Sequence, residues 1–166
     1  MHVPWRRVAS WHCIACGRCC REYRVKLNFH EYLRLKPTGF VEERNGKFYI
    51  KKIGKFCPFQ IGRFCTLQNN LKPMACKLFP FIIRDRGEDD ALFEYKGEEY
   101  YIYADTFCPN LVLKKDKKPS KQVEALVIEA IKLHRREQIQ VKNLTSSILN
   151  SKILKLQQHH HHLMRV

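Results

Sequence analysis

A chain of 166 residues with 45% hydrophobic residues has apolar content for one compact core but not for two large ones. No run approaches the roughly 18 apolar residues of a membrane span, and the N-terminus lacks the apolar segment of a signal peptide, so the expected address is the cytoplasm. The formal net charge is +15, with Lys and Arg concentrated in residues 1–56 and 114–166 and a slight excess of acids in residues 57–113. Such basic flanks suit contact with RNA or a ribonucleoprotein partner, set against lysines that only maintain solubility.

In chain order, Trp5, Arg6, Arg7 and Trp11 come first, a mixture that either stacks on nucleobases or covers one side of a metal site. Cys13, Cys16, Cys19 and Cys20 then place four thiols within eight residues, a density that no packing requirement asks for. Gly17 is expected at positive φ, and Arg18 and Arg21 bring positive charge to the thiols. Residues 22–27 alternate as a short strand. Asn28 and Glu31 then form a capping box that opens a helix of about two turns, ending before Pro37 and Gly39. Residues 40–44 and 47–51 flank Asn45 and Gly46 as a hairpin that delivers the chain to Cys57 and Pro58, and a tight turn at Gly62 leads to Cys65.

Pro73 opens a short helix carrying Cys76, which Pro80 interrupts, and residues 79–83 continue as an apolar strand. A second hairpin pairs residues 91–95 with 100–104 across Lys96, Gly97 and Glu98, and it leads to Cys108 and Pro109. Beyond a basic linker at residues 114–118, Ser120 caps a helix whose Val123, Leu126, Val127, Ala130, Ile131 and His134 share one buried face. A second helix is expected from Asn143 or Thr145 through Leu144, Ile148, Leu149, Ile153 and Leu156. These helices either pack back on the domain or hold a partner protein. His159, His160, His161 and His162 form a metal-capable tract that reads best as a tail.

The fold expected is therefore α+β, a small metal-centred domain with β-hairpins and short helices over residues 1–113, followed by a helical extension over residues 114–166. Its metal ligands are Cys13, Cys16, Cys19, Cys20, Cys57, Cys65, Cys76 and Cys108, all the cysteines of the chain. Thiolates suit both zinc and iron–sulfur centres, each usually closed by four protein ligands, so eight cysteines fit two centres. The spacing of Cys13, Cys16 and Cys19 with a remote Cys-Pro matches the way ferredoxins supply a 4Fe–4S cluster, with Cys108 the first choice of fourth ligand and Cys57 the second. Cys20, Cys57, Cys65 and Cys76 remain for another centre, which zinc suits. A disulfide framework would strain the short N-terminal spacings, and no βαβ pattern supports a redox pair at Cys13 and Cys16. Taken alone, Cys76 also fits an ordinary core thiol.

The run of Cys13, Cys16, Cys19 and Cys20, then Cys57-Pro58-Phe59, Cys65, Lys72-Pro73, Cys76-Lys77, Phe79-Pro80 and Cys108-Pro109 resembles the CxxCxxCC, or YkgJ-like, family of zinc- or iron-chelating domains over about residues 11–110. The family usually has arginine where this chain has Lys72 and Lys77, which keeps the charge and loses bidentate geometry. The resemblance implies metal binding by the matching cysteines and no particular activity. Flagellin lysine N-methylases carry a similar cysteine pattern but are longer, and no S-adenosylmethionine pocket is evident here. Two functions fit: a structural zinc protein whose basic flanks bind RNA or a ribonucleoprotein, or an iron–sulfur subunit of a redox or methyl-transfer enzyme. No self-contained catalytic motif is present. His12 and His30, near the ligands, are either proton carriers or surface histidines.

Overall fold

The computed structural model describes residues 1–67, 71–116 and 118–144. The first part of the chain forms β1 (His2–Pro4), β2 (Val8–Ser10), α1 (Arg18–Glu22), β3 (Lys26–Leu27), α2 (Phe29–Leu35), β4 (Val41–Arg44) and β5 (Lys47–Ile50). It continues as β6 (Gln60–Ile61), β7 (Phe64–Cys65), α3 (Met74–Leu78), β8 (Phe81–Arg84), β9 (Leu92–Tyr95), β10 (Glu98–Asp105), β11 (Val112–Leu113) and α4 (Lys121–His134). The protein is thus α+β, with short helices against small antiparallel sheets. Among the described residues no helix is long and apolar enough to cross a membrane.

The largest sheet is built on β10. Its first half pairs with β9 and its second half with β1, while β8 takes the opposite edge. The β9–β10 turn has two central residues, Lys96 and Gly97, both at positive φ (54° and 77°). The strand therefore starts at Glu98, opposite Tyr95, two residues earlier than the alternation predicts. A lysine in the left-handed region is uncommon, which is why the sequence points to a longer turn. At the first hairpin Asn45 and Gly46 adopt φ of 50° and 69°, and β4 and β5 pair as expected, with β3 added on the free edge of β5.

Two apolar cores result. In the first, Trp5, Val8 and Trp11 meet Phe81 and Ile102 of the main sheet, and α4 covers them with Val123, Val127, Ala130 and Ile131. The apolar face of α4 therefore packs back on the domain. Its buried arc is wider than the pattern predicts: Leu133 is buried and His134 is exposed, because the returning segment brings Val141 and Leu144 against the same helix. Glu129 is buried where that segment turns back, and its carboxylate accepts hydrogen bonds from the backbone of Lys142 and Asn143. Ser120 does stand at the N-cap, without a side-chain capping bond.

The second core gathers Val25, Leu27, Leu35, Ile50, Cys57, Phe59 and Leu67. α2 enters it through the expected capping box, in which Asn28 Oδ1 accepts from Glu31 N and Asn28 N donates to Glu31 Oε2, both at 2.9 Å. The other oxygen of the buried Glu31 accepts from Met74 N at 2.7 Å, fastening α2 to the start of α3. The strand expected over residues 22–27 is shortened to Lys26–Leu27 because α1 runs through Glu22. The helix expected from Asn143 or Thr145 through Leu156, and His159 to His162, lie outside the described residues apart from residues 143 and 144, which form no helix.

Candidate metal centre

The thiols come from several separate elements between residues 13 and 108. Cys13 and Cys16 sit on the loop between β2 and α1, and Cys19 and Cys20 are on α1 itself. Gly17 turns the loop into the helix at φ 73°, and a Cβ there would fall 2.4 Å from Gln60 Nε2, so the knuckle lies directly against β6. Cys57 follows the tight bridge of Ile53 with Phe56. Cys65 ends the small β6–β7 hairpin, where it stands opposite Gln60. Cys76 rides on α3, and Cys108 lies in the turn after β10, its N–H bonded to Asp105 O at 3.2 Å.

One cavity is lined by all eight cysteines. Its other walls include Trp11, Tyr23, Val25, Phe79 and Phe107, its charged lining includes Arg18, Arg63 and Lys72, and among the described residues no carboxylate lines it. The eight cysteines are free thiols. Among the described residues no three His, Cys, Asp or Glu side chains stand close enough to hold an ion in their present rotamers. Donor chemistry nonetheless fits a thiophilic metal, because N–H groups already point at sulfur: Trp11 Nε1 donates to Cys108 Sγ at 3.2 Å and Ala15 N to Cys13 Sγ at 3.4 Å.

Within this cavity the thiols fall into two neighbourhoods. Cys13 is acted on by Cys108 and Cys16, and Cys13 and Cys108 pack on the first core, whereas Cys19 is acted on by Cys76 as well as by Cys13. Cys20, Cys57, Cys65 and Cys76 form a second mutually interacting set, and all four pack in or against the second core. Cys19 and Cys20, adjacent on α1, join the sets because the titration of each thiol is tied to the other.

Burial pushes Cys13, Cys57, Cys65 and Cys76 above the ordinary thiol value. Cys19 is raised because its thiol proton is engaged by Cys20, with burial adding to the effect. Cys20 moves the other way, down to about 7, because it accepts that hydrogen bond and because Lys72, Arg21 and Lys52 add positive charge. Lys72 is buried and lowers Cys13, Cys20, Cys65 and Cys76 alike, so it is the counter-charge of the cavity. Sequence spacing carries no sign of that role. Lys77, one turn further on, donates instead to Ile139 O at 3.1 Å.

The remaining candidates separate clearly. Trp5 is buried with its Nε1 donating to Leu92 O at 3.4 Å, and Trp11 is equally buried, so neither ring is available to stack on a nucleobase. His12 lines the mouth of the cavity and is exposed, whereas His30 lies outside it on the surface of α2.

A comparison with protein families matches residues 12–109 to the CxxCxxCC family, described as a "Putative zinc- or iron-chelating domain". The match spans more than half of the chain and takes in every cysteine; the protein belongs to this family. No curated protein and no solved structure matches the chain.

Proposed function

We propose that this protein is a cytoplasmic metalloprotein in which two sets of four thiolates hold two centres, Cys13, Cys16, Cys19 and Cys108 in one and Cys20, Cys57, Cys65 and Cys76 in the other. The observation that supports the reading is that all eight thiols line one cavity, while Cys13 and Cys108 pack on the first core and Cys20, Cys57, Cys65 and Cys76 pack in or against the second. The adjacent Cys19 and Cys20 then belong to different centres. The first set suits a 4Fe–4S cluster by its spacing and the second suits zinc. Bound metal would supply cross-links between α1, α3, the β6–β7 hairpin and the turn after β10. Lys72 offsets the accumulated thiolate charge, and the N–H groups of Trp11 and Ala15 orient Cys108 and Cys13. All eight ligands fall within residues 1–113, and residues 114–166 are the extension whose α4 completes the first core.

Metal and sulfide analysis of protein purified without oxygen, combined with Cys108→Ser, tests this reading. The variant should lose visible absorption while the second metal stays bound. Retention of both, or loss of the second alone, overturns the partition, and zinc at two equivalents without iron or sulfide overturns the iron–sulfur assignment. Because burial raises several of the thiols, protons compete for them well into the alkaline range, so metal affinity should fall as pH falls.

A further inference from the structure

The β4–β5 hairpin and the segment after it enclose a second cleft, lined by Arg24, Arg44, Lys51 and Lys52 with Glu42 as its one acid. Of its walls only Ile50 is shared with the thiol cavity. Glu42 divides its carboxylate between two guanidinium groups: Arg24 Nη2 donates to Oε1 at 3.2 Å and Arg44 Nη2 to Oε2 at 3.0 Å. The two arginines are thereby held facing one acid, half exposed, with further N–H groups left for another anion. Arg24 is also fixed over the ring of Tyr49 at 4.6 Å. One carboxylate cannot balance four cations, so the cleft keeps a positive field that a phosphate would satisfy.

The same segment turns at Ile53–Phe56 and is held to the hairpin by Lys51 N donating to Phe40 O at 2.9 Å. This turn leaves Phe56 59% exposed and Ile53 58% exposed next to the basic residues in sequence, with Phe40 36% exposed opposite Lys51. Exposed rings on the segments that carry a basic cleft suit the chemistry by which unpaired bases are stacked while their phosphates are neutralised; a duplex offers no free base face for it. We propose that this cleft binds the phosphodiester backbone of a single-stranded nucleic acid, with a base laid on the ring of Phe56. Lys52 also acts on Cys20 of the thiol cavity, so the cations to vary are Arg44 and Lys51. The cleft also differs from the stretch of Trp5, Arg6, Arg7 and Trp11, for which the sequence leaves stacking on nucleobases as one of two alternatives.

Fluorescence anisotropy of a labelled 12-nucleotide oligouridylate, titrated with the full chain as purified, tests the proposal. Arg44→Gln with Lys51→Gln should weaken binding at least about tenfold and make the salt slope shallower by about 1.4, the value for two lost phosphate contacts on a single strand. Phe56→Ala should weaken binding on the order of 5- to 100-fold with the slope unchanged. Glu42→Gln should tighten it, a change of sign that misfolding does not produce. A control of equal charge on another face, Lys115→Gln with Lys121→Gln, should have little effect. Absence of binding overturns the proposal, as does an equal loss in the control. Equal affinity for a duplex, or full displacement by a few millimolar inorganic phosphate, overturns it as well; the latter result would assign the cleft to free phosphate.

Discussion

The first core buries fifteen side chains, two tryptophans among them, and none of the fifteen is a cysteine, whereas the second buries seven and includes Cys57, with Cys20, Cys65 and Cys76 packed at its edge. The first has sheet on one side and the fourteen-residue α4 on the other. The second has only two- to four-residue strands and a helix of under two turns. Apolar burial sustains a fold in proportion to its area, and a core as small as the second usually needs a staple. On the proposed reading the two halves divide the work: one holds its shape by burial, and the other would gain stability from metal held by the thiols it contributes.

Removal of the metal should separate them most sharply. After treatment with a strong chelator, amides in residues 25–67 are expected to exchange on the order of 100-fold faster while those of β10 and α4 stay protected. Uniform loss of protection across both cores would break the comparison. The converse change is Ile131→Ala, which empties a fully buried position under the main sheet. It should cost about 2–5 kcal/mol in denaturant unfolding and leave metal stoichiometry intact. A finer test uses Trp11→Phe, which keeps an aromatic ring but removes the donor to Cys108 Sγ. Metal held with Cys108 should then be lost about tenfold more readily in chelator competition, and the other centre should not change.

The smallest effect concerns the fastening of α4. Glu137 accepts from Lys96 at 2.9 Å and Arg135 at 2.7 Å, with Tyr95 adding a third contact, and these hold its carboxyl at about 2, below the ordinary 4.5. A depressed carboxyl stabilises the fold above about pH 4.5 and loses that contribution as pH falls toward 2. Glu137→Gln should flatten the acid limb of melting temperature against pH over this window. An unchanged limb would show that solvent screens the exposed network completely.

Local signals were readable wherever a feature is closed by neighbours in sequence. The capping box at Asn28 and Glu31 and the turn at Asn45 and Gly46 appear as their chemistry requires, as does the spacing of α4 up to Ile131, beyond which Leu133 rather than His134 is buried. β1 and β2 carried no such signal, because they are strands only by pairing with β10 and β11 about a hundred residues later. Neither did the surroundings of the two lysines: Lys72 turns into the thiols and Lys77 toward Ile139, a difference set by the short helix between them and the segment packed beside it.

Sequence by itself determined that eight thiols, four of them crowded between Cys13 and Cys20, stand among turns able to bring them together, since thiol chemistry and turn propensity are properties of single residues and close neighbours. Only the tertiary structure decided which thiols are neighbours and which core each leans on. It also placed Lys72 among them as a buried charge, and it left Phe56 exposed two residues beyond Gly54 of the basic cleft while burying both tryptophans. Burial and long-range pairing depend on where distant segments meet, and no local pattern records that meeting.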